Sequence, residues 1–182
     1  MTHQLTEEEI AQREFFVGLQ KGEILKRIFQ PDFDEVAREL CLKCTGEMCN
    51  SLFLPYGQIN TDTDIDTFMQ SLMDAFPGSR KLERKDDVIH YDFFPEVTGE
   101  CMCPMIALGH LEPTPLWCIC GNYFNKAMFE KVMKHPVQVE LLESPLTTGS
   151  DFCRRLIHLK PPVLTTYPVE PHWHQTCSHE CE

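Results

Sequence analysis

The sequence predicts an α+β fold: N-terminal helices followed by an antiparallel sheet packed against helices, with a Pro-rich C-terminal tail. Three observations carry that expectation. Apolar residues recur at helical spacing through the first 76 residues and again over 122–134. Two stretches, 79–94 and 136–159, instead alternate with period two around polar turns. Runs of helix followed by runs of strand, without a regular βαβ alternation, point to an antiparallel sheet with helices on one face. The boundaries expected are one α+β domain over 1–160 and an extended or disordered tail over 161–182.

The first element is a helix opened by Thr6 and Glu9, which have capping-box spacing. Ile10, Phe15, Phe16 and Leu19 continue it, while Gly18 and Gly22 argue for a break before a second short helix at 23–29. Pro31 stops that helix, and Asp32 or Asp34 can cap the next one, "EVARELCLKC", in which Val36, Ala37, Leu40, Cys41 and Cys44 share a face. Gly46 reads as its C-terminal stop. The clearest helix is "NTDTDIDTFMQSLMDAF" (60–76), with Ile65, Phe68, Met69, Leu72, Met73 and Phe76 on one stripe. Its acidic start suits a helix N-terminus. As a calcium loop counted from Asp62 it fails, because the sixth and twelfth places hold Thr67 and Met73 instead of Gly and Glu.

Pro77 and Gly78 end that helix, and residues 79–94 read as two strands about a turn at Lys85–Asp87. A loop region rich in Pro and Gly then carries two Cys-x-Cys pairs as far as Gly121. A helix at 122–134, a strand at 136–145, a turn at 147–151 and a strand at 152–159 follow.

Charge and composition exclude several classes. Sixteen basic against 28 acidic residues give a formal net charge of −12, which repels a polyanion, so no nucleic-acid partner is expected. The N-terminus lacks a basic, then apolar, leader pattern, and no apolar run approaches the ~18 residues of a membrane span. A cytoplasmic protein is the expectation, with a homodimer among the assemblies it allows.

In a reducing compartment, ten cysteines point to metal or thiol chemistry in preference to disulfides. Seven fall in three groups: Cys41, Cys44 and Cys49; Cys101 and Cys103; Cys118 and Cys120. Thiolates hold zinc or iron–sulfur clusters, and closely spaced pairs are already partly ordered for it. Cys41, Cys44, Cys118 and Cys120 would make a four-thiolate zinc site, with an iron–sulfur cluster as the alternative. Cys49, Cys101 and Cys103 would complete or replace it. A thioredoxin-like reading places a reactive thiol at a helix N-terminus, whereas Cys41 falls late in its predicted helix. A hydrolase would need a histidine base, for which His90, His110 and His158 are the candidates. The tail residues His172, His174, Cys177, His179 and Cys181 have spacings that suit a transition metal.

The segment Gly121–Leu159 carries a glycine after a cysteine pair, a helix, "HPVQVELLES", Gly149 in a turn and Cys153 in a final strand. In this it resembles the C-terminal half of the 4-vinyl-reductase-type ligand-binding domain superfamily, nearest its uncharacterised cysteine-rich bacterial members. Glu143, Gly149 and Cys153 match the pattern; Arg154 and Arg155 depart from it where an aromatic is more usual. The resemblance implies a small hydrophobic ligand, lying between sheet and helix beside the cysteines. Phe124, Met128 and Val132 would cover it, and the strands would direct Val88, His90 and Asp92, or Val137, Val139 and Leu141, to one face or the other. The function expected is a cytosolic metal-binding, small-molecule-binding domain in a sensor or accessory role, with a small-molecule hydrolase or thiol redox protein as the alternative.

Overall fold

The structure, a computed structural model, describes residues 6–94, 101, 103–107 and 109–160. Two long helices come first, α1 (Glu7–Ile28) and α2 (Glu35–Tyr56), followed by α3 (Ile65–Ala75). The hairpin β1 (Arg80–Lys85) and β2 (Val88–Phe93), the short α4 (Pro104–Ala107), α5 (Trp117–Met133), β3 (Gln138–Glu143) and β4 (Cys153–His158) complete the order. The four strands form one antiparallel sheet in the order β1-β2-β4-β3. The fold is α+β, and no helix among the described residues is long and apolar enough to cross a membrane. The predicted tail at 161–182, with its His and Cys residues, lies outside the described residues.

Capping chemistry places the helix starts. Asp34 accepts the Ala37 amide at 2.8 Å, and Asp64 accepts the Asp66 and Thr67 amides at 3.1 and 2.9 Å. Both are side chains of the type that satisfies the open N–H groups of a first turn. The hairpin turns tightly through Asp86, whose φ is +56°.

Three expected boundaries are corrected, the first two for the same physical reason. α1 does not break at its glycines, α2 does not stop at Gly46, and α5 starts at Trp117, so Cys118 and Cys120 lie in a helix, not a loop. In α1 and α2 a glycine read as a breaker serves close approach instead. A Cβ on Gly22 would collide with the His110 carbonyl, and one on Gly46 would lie 2.8 Å from the Phe124 amide nitrogen. The interior helix cost of Gly, about 1 kcal/mol relative to Ala, is offset by the packing that its missing side chain permits.

One sheet face is covered by helices. Phe68, Met69 and Leu72 of α3 and Met128, Phe129 and Val132 of α5 close a core with Leu82, Ile89, Tyr91 and Ile157. Phe68 and Phe129 meet edge-to-face at 5.7 Å between centroids. Met128 and Val132 therefore fill the core instead of covering a ligand. The strand register turns Val88, His90 and Asp92 to the outer face and Ile89, Tyr91 and Phe93 inward. On the outer face Arg154 bridges Asp92, at 2.8 and 3.0 Å, and Glu143, at 3.0 Å. A second cluster, Leu42, Leu111 and Trp117, packs with Leu25 and Phe29 where α1 and α2 meet the 105–117 segment.

Candidate functional site: a thiol-lined apolar cavity

Beyond the core, the C-terminal half of α2, the N-terminal half of α5 and one end of the sheet enclose a cavity of about 580 Å³. That volume falls in the range of small-molecule sites. α2 contributes Cys49, Leu52, Phe53 and Tyr56; α5 contributes Trp117, Cys118, Cys120, Gly121, Phe124 and Asn125. The sheet supplies Arg80, Tyr91, Phe93, Cys153 and Arg155, and Ser144, Pro145 and Leu146 close the wall after β3. Cys101 and Cys103 reach it from the segment before α4.

The helical crossing makes this possible. Gly46 lets α2 lie against the α5 backbone at Cys120 and Phe124. One and two turns on, Cys49 and Phe53 then face Cys120 and Phe124 across the gap.

Six cysteines line the cavity: Cys49, Cys101, Cys103, Cys118, Cys120 and Cys153. No disulfide joins any of the eight described cysteines. Burial pushes Cys120 up to about 12, with Cys49 and Cys103 nearby adding to it. It also raises Cys101, Cys103 and Cys153, and Arg155 opposes the rise at Cys101 and Cys153. These four thiols keep their protons at neutral pH, and the protonated form is a poor nucleophile. Cys118 Sγ lies 3.3 Å from the Ser144 hydroxyl.

The structure brings together five of the seven cysteines singled out from spacing: Cys49, Cys101, Cys103, Cys118 and Cys120. Cys41 is half-buried and Cys44 exposed on α2, and neither lines the cavity. Because α2 extends to Tyr56, Cys41 lies in its first half, not late in it. Among the described residues, no group of three or more His, Cys, Asp or Glu side chains is arranged to hold a metal ion. Among the described residues no histidine lines the cavity: His90 is on the outer face of the sheet, His158 faces Glu140 there at 3.4 Å, and His110 is buried against Gly18 and Gly22 of α1.

Sequence reasoning missed Arg80 and Arg155. Both are buried and both line the cavity. The Arg80 guanidinium lies over the rings of Phe93, Phe76 and Phe53 at 4.2, 4.5 and 4.8 Å, and its Nη1 donates to the Tyr91 hydroxyl. Arg155 Nε donates to Asn122 Oδ1 at 3.1 Å. The signal was present: Cys153, Arg155 and Ile157 alternate inward, as do Arg80 and Leu82.

A family model described as a family of unknown function (DUF6144) matches residues 17–164. No curated protein matches the chain. Among solved structures, the phenol-responsive sensory domain of the transcription activator PoxR, in complex with phenol, is similar at 16% identity with a TM-score of 0.46, over 77% of this chain and 73% of that one.

Proposed function

The chain belongs to DUF6144, a family of unknown function, and from the geometry of its cavity we propose that it is a binding module, with a sensor or accessory role, that encloses a small and largely apolar molecule. The observation that carries this reading is the cavity itself. It combines about 580 Å³ with walls of Phe53, Tyr56, Phe93, Trp117, Phe124 and Leu146. Apolar walls with a few converging polar groups are the usual make-up of a ligand site. The resemblance of Gly121–Leu159 to 4-vinyl-reductase-type domains supports the same reading, because Cys153, one of its matching residues, lines the cavity. Cysteines clustered without a disulfide among the described residues suit a cytoplasmic setting.

The enzymatic alternatives fare less well. A thiol nucleophile needs a base, and the described cavity lining has no histidine. Burial holds four of its thiols in the protonated form. Zinc, or an iron–sulfur cluster, remains part of the proposal, with Cys49, Cys101, Cys103, Cys118 and Cys120 as the thiols that would move together to hold it. Elemental analysis and a visible spectrum after anaerobic purification decide it; a colourless, metal-free protein removes the metal and leaves the cavity.

The cavity reading is tested with an environment-sensitive apolar dye and a Cys120→Phe variant. The new ring projects into the void, so dye binding should fall at least tenfold while unfolding stays cooperative. Unchanged dye affinity in a folded variant would refute the cavity as the binding site.

A further inference from the structure

Two guanidiniums line a cavity whose other walls are mostly apolar. In a chain with 28 acidic residues against 16 basic ones, neither Arg80 nor Arg155 has a carboxylate partner among the described residues. Their neighbour shows the contrast. Arg154, adjacent in sequence but on the outer face of β4, holds two carboxylates. A buried charge without a counter-ion is costly, and a built site that keeps two of them is complementary to an anion.

The two arginines stand on the same inward face, either side of Tyr91. Tyr91 pairs with Arg155 across β2 and β4, and with Leu82 across β1 and β2; Arg80 is two residues before Leu82 on the same inward face. Burial pushes the Tyr91 phenol up, and the positive charges of Arg80 and Arg155 oppose that rise. Because Tyr91 Oη accepts from Arg80, its own hydrogen is left to be donated. Two guanidiniums and a phenol O–H form a set of donors with no acceptor of full negative charge between them. Guanidinium forks match the planar oxygens of a carboxylate.

We propose that the cavity takes an amphiphilic anion, a carboxylate carried on an apolar chain or ring, with the carboxylate received by Arg80, Arg155 and the Tyr91 hydroxyl and the apolar body lying against Phe53, Phe124 and Trp117. This rests on the reading of the cavity as a ligand site. Gly121 is part of the arrangement. A Cβ there would lie 2.6 Å from Arg155 Nη2, so the missing side chain leaves room for the guanidinium beside α5.

The test compares decanoate with decan-1-ol, a matched apolar body with and without the charge, by calorimetric titration of the full chain at neutral pH. Decanoate should bind at least tenfold more tightly than the alcohol. Arg155→Gln should bring that ratio close to one. Gly121→Ala, whose methyl meets only the far end of a flexible side chain, should reduce it several-fold in a protein that unfolds like wild type. Arg154→Gln, on the outer face, should leave the ratio unchanged. Equal binding of acid and alcohol by wild type overturns the anion site while leaving the apolar cavity standing. Failure of both to bind or to displace the apolar dye overturns the two readings together. A ratio unaffected by both Arg155→Gln and Gly121→Ala overturns the assignment of these residues.

Discussion

Replacing Gly46 by Ala tests the crossing of α2 and α5 on which the cavity depends. The added Cβ would lie 2.8 Å from the Phe124 amide nitrogen and 2.9 Å from Tyr123 Cβ, and closer still to the Cys120 carbonyl oxygen. Ordinary contacts begin near 3.4 Å, so the helices must part by more than half an ångström. Two effects oppose each other. Ala is the better helix former by about 1 kcal/mol. Overpacking costs about 1–3 kcal/mol, and a gap of this size forfeits a quarter or more of the dispersion along the parted interface. The atoms in the way are backbone and cannot rotate aside, so the upper part of that range applies, leaving a net destabilisation of about 1–2 kcal/mol. For a chain of this length that lowers Tm by about 2–8 °C. Thermal and urea unfolding measure it, with Ser51→Ala, an exposed position of the same helix that touches no other element, as the reference. A Tm for Gly46→Ala at or above that of wild type would show that α2 and α5 do not touch here.

The raised thiol of Cys120 sets an alkaline limit. Its folded pKa of about 12 exceeds the unfolded value of about 8.5, so the unfolded chain loses the proton first. The stability it contributes is whole below about pH 8.5 and is lost as pH rises towards 12, at up to ~1.4 kcal/mol per pH unit. Chemical denaturation from pH 8 to 11 should show a shallower fall for Cys120→Ala, and identical slopes would remove the buried thiol from the account. Asn50, fully buried on α2 with both side-chain polar atoms unpartnered, should tolerate Leu. Relief of a desolvation penalty of about 1–3 kcal/mol offsets the change in shape, and a Tm drop of several degrees would mean that the amide is hydrogen-bonded after all.

Sequence pattern was most legible where one side chain has one use. The Ile65–Phe76 stripe marked α3, the choice of Asp32 or Asp34 as cap marked the start of α2 with Asp34 the one used, and the alternation at 79–94 and 136–159 marked the hairpin and the two later strands. Glycine misled because it serves two opposed ends: Gly46 and Gly22 stop nothing, and their purpose lies in a partner far along the chain. The site divided in the same way. Five thiols found by clustering do gather, but Cys41 and Cys44 share their spacing without sharing their place. Arg80 and Arg155 were passed over because arginine usually belongs to the surface. The inward parity set by Leu82 and Ile157 was the better guide.

α5 is a rod about 25 Å long. Its first turns form a wall of the cavity at Trp117, Cys118 and Cys120, and its last turns press Met128, Phe129 and Val132 onto the sheet. Between them, Gly46 holds the backbone at Cys120 and Phe124. One continuous helix therefore carries both surfaces: the residues that line the cavity and the residues that seat on the sheet are fixed to the same backbone, so the position of the cavity wall and the packing of the core are set together.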